Sequence, residues 1–193
     1  MSNIKEEDYT TLFFYNNENI LVNKSDKRIV FRGKIDSLIS SFIESEIKII
    51  DLNENILSIY LKECSNYIKE IRKAEALNVL PKEINLFNLD ENTIHKISHN
   101  PKIYIGINHL FNINSSMPRS VIILNKLRVE IREVEISCVD AINNIDISKE
   151  YNNDSKKILK TIQMNLNRLS SAIYILMCLY ASNKKSVDQI KLF

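Results

Sequence analysis

The sequence predicts an all-α fold, an antiparallel up-and-down bundle of four long helices and one short one. Three observations carry that reading. Apolar residues recur at i, i+3, i+4 and i+7 through four long segments. Two glycines and three prolines in 193 residues leave little material for turn-rich β structure. The connections between the periodic segments are modest, as in a bundle. With 45% apolar and 26% charged residues, the chain has the composition of a globular protein and is long enough to bury one substantial core.

Residues 1–30 are the least regular part and are read as an arm packed on the helical domain of residues 31–193. Residues 11–15 (TLFFY) and 19–22 are its extended pieces. The arm ends in a basic run, Asn23-Lys24-Ser25-Asp26-Lys27-Arg28. A basic loop at a helix entrance can hold phosphate through free backbone N–H groups and the helix dipole; a solvated turn is the other reading. The first helix is predicted over residues 34–50, with Ile35, Leu38, Ile39, Phe42, Ile43 and Ile47 on one face and Asp36 in the first turn, where a carboxylate is favoured. A second helix follows over residues 54–80, carrying Ile56, Ile59, Tyr60, Tyr67, Ile68 and Ile71, and stops before Pro81.

A short helix opens at Asp90 as N-cap and ends before Pro101. It holds His95 and His99 at i, i+4, which suits either a metal pair or two structural or substrate-lining histidines. The third histidine, His109, lies in the loop of residues 102–117. Pro118 suits the first turn of the next long helix, which runs to about residue 144. A polar connection leads to the last main helix, residues 155–182, striped by Leu159, Ile162, Leu166, Leu169, Ile173, Met177 and Tyr180. From residue 172 to 181 that helix is apolar all round, which predicts burial against a second subunit. A final turn covers residues 186–190.

The most informative stretch is LNKLRVEIREVE, residues 124–135. At about 100° per residue, Asn125, Arg128, Arg132 and Glu135 share a stripe roughly 80° wide. Lys126, Glu130 and Glu133 point away from it as an ordinary hydrated face. Apolar strips flank the stripe, Ile123, Leu127, Ile131, Val134 and Cys138 on one side, Ile122, Val129 and Ile136 on the other. Two arginines and a glutamate are thus aimed where the helix wants cover. Desolvated charges cost several kcal/mol, on the order of the penalties known for buried ions, unless paired, so the stripe calls for internal partners or for a charged ligand.

A net charge of +2 makes no general case for nucleic acid or an anionic membrane, so any phosphate recognition must be local. Residues 1–12 carry no apolar signal segment, and the longest apolar run is too short to span a bilayer. Cys64, Cys138 and Cys178 have no metal-ligand spacing and read as core residues of a reducing cytoplasm. A P-loop, a nucleophile elbow and internal repeats are all missing from the sequence.

The strings LVNKSDKRIVFRGKIDSL, LDENTIHKISHNP, NHL, LNKLRVEIREVEI and LNRLSSAIYILM occur in order. From about residue 21 onward, the chain resembles the ATP:corrinoid adenosyltransferases of the ethanolamine-utilisation type, relatives of the propanediol-type cobalamin adenosyltransferases. The resemblance implies that Arg128, Arg132 and Glu135 are the R-x-x-x-R-x-x-E signature lining the ATP site. It places Asn167 and Arg168 of LNRLS near the nucleotide and Lys24 and Arg28 beside the triphosphate. Asp36 becomes the aspartate that pairs with Arg128, and Phe111, with His109, faces the corrinoid. The implied reaction joins the 5′-deoxyadenosyl group of ATP, with Mg2+, to cob(I)alamin and releases polyphosphate. The implied assembly is a cytoplasmic homo-oligomer, a trimer by likeness to the propanediol type, associated with a bacterial microcompartment. An electron-donor protein and ethanolamine ammonia-lyase, as product acceptor, are the implied partners. Relatives of the ethanolamine type can carry a histidine and a CC-x-x-C metal cluster; this sequence has no such cluster, and no protein-held metal is expected. A non-catalytic helical scaffold or corrinoid carrier is the alternative.

Overall fold

The computed structural model describes residues 6–192. The arm is a β-hairpin: β1 (Tyr9–Tyr15) pairs antiparallel with β2 (Glu18–Asn23). Its two-residue turn is Asn16-Asn17, both at positive φ, the backbone that a tight hairpin of this twist requires. A bulge between Thr11 and Phe13 lets consecutive residues Leu12 and Phe13 both face inward, at 5% and 3% exposure.

Helix α1 (Lys27–Asp51) begins inside the basic run, because Asp26 caps it and accepts the Arg28 N–H at 2.8 Å. That is about two turns ahead of the predicted start, so Asp36 stands in the third turn and gains nothing from the dipole. The buried face is Phe31, Ile35, Leu38, Phe42 and Ile49, while Ile43 and Ile47, expected inside, are exposed. Helix α2 (Asn55–Leu77) ends earlier than predicted, at Asn78 in the left-handed region. Its core residues are Leu57, Leu61, Cys64, Ile68 and Ile71, leaving Ile56 and Ile59 outside.

A small second hairpin, β3 (Asn85–Leu86) with β4 (Leu89–Asp90), was not foreseen. It turns on Phe87 and Asn88, both at positive φ. A bulky side chain there costs about 1–2 kcal/mol, and two contacts offset it: the Phe87 N–H donates to Glu63 Oε1 at 2.8 Å, and its ring packs on Tyr60 at 4.9 Å. Asp90 then caps α3 (Glu91–His99) through the Thr93 N–H at 2.7 Å, as expected. Pro101 opens one further turn, α4 (Pro101–Tyr104). Helices α5 (Arg119–Asn143) and α6 (Ser155–Ala181) follow within a residue or so of their predicted bounds.

Helix α6 is the centre of the bundle, packed on α5 along its length and on α3 and α2. Residues 172–180 are all 9% exposed or less. This corrects the expectation that a second subunit covers them, since the chain's own helices do. The three cysteines are free and buried, and among the described residues no helix is long and apolar enough to cross a membrane.

One charged group is fully enclosed. Glu75, at 0% exposure, accepts from Arg28 Nε at 2.8 Å on one oxygen and from Arg32 Nε at 2.7 Å on the other. Arg28 also donates to Ser155 Oγ, to Asn78 Oδ1 and to the Glu75 carbonyl. Burial pulls its guanidinium below the ordinary value, and Glu75 opposes that shift. Arg32 reaches the carbonyls of Thr11 and Leu12, which docks the hairpin on the bundle. Removing the carboxylate strands two cations, so Glu75→Leu should cost about 3–5 kcal/mol of stability, read in denaturant titration. The exposed Asp36–Arg72 pair should lose no more than about 1 kcal/mol in Asp36→Asn.

Candidate active site

A cleft of about 410 Å3 opens between α5, α6 and the segment after α4. From α5 it takes Arg128 and Arg132. From α6 it takes Asn167, Ser171 and Tyr174, at the i, i+4, i+7 spacing that keeps them on one face, together with the buried Ser170. His99, His109 and Phe111 close the remaining side.

The electrostatics are one-sided. Among the described residues, neither Arg128 nor Arg132 has a carboxylate within ion-pairing distance. Arg128 is half-buried, with its guanidinium carbon 5.2 Å from the centre of the Tyr174 ring. Burial and then the neighbouring Arg132 push its pKa down, the direction expected of a cation lacking its counter-charge. Glu135, one turn on, is engaged elsewhere: its Oε1 accepts from Asn167 Nδ2 at 3.2 Å. Asn167 Oδ1 in turn accepts from Arg168 at 3.0 Å. Arg168 Nε stands 3.3 Å from Glu91 Oε1 at the start of α3 without pointing its N–H at it. A forked, unneutralised cation pair above a polar floor is suited to a polyanion.

The segment on the far side is tied to α6 through one side chain. The Tyr174 hydroxyl accepts the Leu110 N–H at 3.0 Å and lies 3.0 Å from His109 Nδ1. Phe111 is 84% exposed. The rings of His95 and His99 sit 4.1 Å apart, with His99 Nδ1 against the His95 carbonyl. Among the described residues, no group of three or more His, Cys, Asp and Glu is placed to hold a metal ion.

A family model described as cobalamin adenosyltransferase matches residues 5–180, which takes in the hairpin, the bundle and every residue of the cleft. The chain belongs to the cobalamin adenosyltransferase family. Among curated proteins it is similar to the corrinoid adenosyltransferase EutT of Salmonella typhimurium (strain LT2), at 28% identity over 172 residues, or 89% of this chain and 60% of that protein. The EutT proteins of Escherichia coli K12 and of Escherichia coli O6:H1 give the same identity and coverage. The chain therefore spans about 60% of the length of these relatives. No solved structure matches it.

Of the site residues expected from the sequence, the fold brings together Arg128, Arg132, Glu135, Asn167, Arg168, His109 and Phe111. It keeps three expected residues away. Arg28 is 4% exposed and wholly engaged by Glu75, Asn78 and Ser155, so within one chain it is not free to meet a triphosphate. Lys24 is exposed four residues before Arg28, whose neighbour Ser155 stands about 18 Å along α6 from Asn167 by helical rise. Asp36 pairs with Arg72 at 2.8 Å and not with Arg128 in the same chain, because α1 turns that face toward α2. The stripe itself is less covered than predicted: Arg132 is exposed, and so is the flanking strip of Ile122, Val129 and Ile136.

Two functional-looking residues escaped the sequence reading. Tyr174 stands inside an apolar run that reads as core; its signal is the polar series Asn167, Ser171, Tyr174 running into that run. Glu75 is one of three acids in α2, with Glu63 and Glu70, and only the i, i+4 pair Arg28 and Arg32 hints at its partners. Because Arg132 is exposed and unpaired, Arg132→Ala should change stability by no more than about 0.5 kcal/mol. Titration calorimetry with inorganic tripolyphosphate should show clearly weaker binding in the same variant.

Proposed function

We propose that this chain transfers the 5′-deoxyadenosyl group of ATP to the reduced cobalt of a corrinoid, cob(I)alamin, giving adenosylcobalamin and inorganic polyphosphate. The observation that carries the reading is the pair Arg128 and Arg132, unneutralised among the described residues and facing a cleft whose other wall presents His109 and Phe111. Similarity to the EutT proteins supports the substrate class.

The chemistry asks little of the protein beyond placement. The cobalt supplies an electron pair that forms its bond to the 5′ carbon of ATP, the carbon–oxygen bond to the phosphate chain breaks, and the polyphosphate leaves with the electrons of that broken bond. Charge therefore builds on phosphate oxygens, where two fixed guanidiniums lower the barrier. Asn167, oriented by Glu135 and Arg168, offers hydrogen bonds to the nucleoside end. Phe111 lies against the lower face of the corrin and excludes water, which strips the cobalt of its lower ligand and eases its reduction by an electron-donor protein. Mg2+ arrives on the phosphate oxygens of ATP. The product serves ethanolamine ammonia-lyase.

The working form in this reading is a homo-oligomer, a trimer, with the site between neighbours. Residues 172–180 are buried within one chain and leave no apolar face for a neighbour. Support for the assembly is the strip Ile122, Val129 and Ile136, at 37%, 45% and 63% exposure, running beside Arg132. In this reading Lys24 and Asp36, which stand away from Arg128 within the chain, reach it from a neighbouring copy seated on that strip.

Mixing the protein with ATP and chemically reduced cobalamin should produce the absorbance spectrum of adenosylcobalamin. Arg132→Ala or Arg128→Ala should slow that by about 10²–10³-fold, the usual loss for one preorganised charge-stabilising donor. No cobalt–carbon bond with the unaltered protein would leave the carrier or scaffold reading standing. Sedimentation should show a trimer, and a stable monomer at micromolar concentration overturns the shared site.

A further inference from the structure

Tyr174 joins the two walls of the cleft. Its ring packs beneath Arg128, with the guanidinium carbon 5.2 Å from the ring centre, and its hydroxyl meets two groups of the opposite segment. The hydrogen-bond directions follow from what each atom can do. His109 Nε2 is 3.2 Å from the His99 carbonyl oxygen, which can only accept, so Nε2 carries a proton. In the neutral ring Nδ1 is then the acceptor. Tyr174 takes the Leu110 N–H with its oxygen and gives its own proton to His109 Nδ1. The result is a directed chain, Leu110 N–H to Tyr174 hydroxyl to His109 to the His99 carbonyl. Burial pushes the Tyr174 hydroxyl up to about 12, so the proton it gives is present well above neutral pH.

What this chain holds is the exposed middle of a segment whose other anchors are the partly buried Ile107, Leu110, Ile113 and Met117 packed on the core. The segment leaves α4 at Gly106, whose φ of +87° turns the backbone, and rejoins the bundle at Pro118. Asn108, His109, Phe111 and Asn112 are exposed. Phe111 touches the His109 ring at 5.7 Å between centres, so its position follows from that of His109.

We propose that Tyr174 is a positioning residue, whose hydroxyl sets where His109, Leu110 and Phe111 stand relative to Arg128 and thereby the spacing between the corrinoid-facing wall and the phosphate-facing wall of the cleft. The kinetic part of this rests on the adenosyl-transfer reading above; the structural part does not. A phenylalanine at 174 keeps the ring under Arg128 and the packing of α6 but releases both bonds to the segment, so Tyr174→Phe isolates the hydroxyl.

The chain contains no tryptophan, so Asn112→Trp gives a single indole reporter on the segment. In the protein without substrate, adding Tyr174→Phe should lower the reporter's fluorescence anisotropy and increase its quenching by acrylamide, with the melting midpoint nearly unchanged. His109→Leu should do the same, whereas His109→Asn, whose amide oxygen replaces Nδ1 as acceptor, should restore order. In the activity assay, kcat/KM for the corrinoid should fall about tenfold in Tyr174→Phe, the worth of roughly one net hydrogen bond, with KM for ATP unchanged. Equal anisotropy with tyrosine and phenylalanine at 174 overturns the proposal, as does an equal loss of kcat/KM for both substrates. If Tyr174→Phe fails to fold, the two His109 variants decide: indistinguishable anisotropy overturns it. Inactivity of the unaltered protein would refute the adenosyl-transfer reading while the reporter still tests the tether.

Discussion

A carboxylate removed from water must be met by donors on both oxygens, and in this molecule the requirement falls on Glu75. Arg28 donates to one oxygen and Arg32 forks onto both, and the remaining donors of Arg28 reach α2's end and the first residue of α6. One buried acid thereby locks together α1, α2, α6 and, through Arg32 and the carbonyls of Thr11 and Leu12, the hairpin. Such a cluster adds less net stability than its count of bonds suggests, because desolvation offsets much of the attraction. Its effect is on arrangement: few other packings of these elements would leave all the charges paired.

The same accounting separates the two groups of arginines. Those near Glu75 are satisfied internally and shape the fold. Those in the cleft lack carboxylates among the described residues, and Arg128 is also partly desolvated beside Arg132. A fold that meets its charge requirements so fully at one end and leaves them open at the other has reserved the second for something anionic. The direction of the Arg128 shift and the polar floor of Asn167 and Ser171 agree with that.

The legible parts of the sequence were those where periodicity alone decides. Helices α5 and α6 have long uninterrupted stripes, and their bounds match the reading, as do the α6 stripe, the strip Leu127, Ile131, Val134 and Cys138 of α5, and the Asp90 cap. The start of α1 was missed because Lys24 to Arg28 reads as a solvated loop unless Asp26 is seen as a cap and Glu75 as the partner; tertiary pairing, invisible locally, decided it. Residues 85–90 look like loop because their turn contains Phe87 instead of glycine. The cleft was half legible: the stripe 128, 132, 135 and the pair Asn167 and Arg168 do converge. The partners expected from the other end of the chain do not, since helix direction separates them. Tyr174 was hidden by the very feature that made residues 172–181 conspicuous. An all-apolar run says only that every side is covered, not by what, and here the cover is intramolecular.

The asparagines at positive φ deserve a last physical reading. Asn16, Asn17, Asn53, Asn78, Asn88 and Asn183 occupy left-handed backbone where many chains place glycine. Glycine is easy to bend but adds freedom to the denatured chain, freedom that folding must then remove. An amide side chain tolerates the same bend while leaving the denatured chain stiffer. With so few glycines, the molecule changes direction at residues that restrict its alternatives as well as its native path, so the corners of the bundle lend it resistance to unfolding that no inventory of native contacts would register.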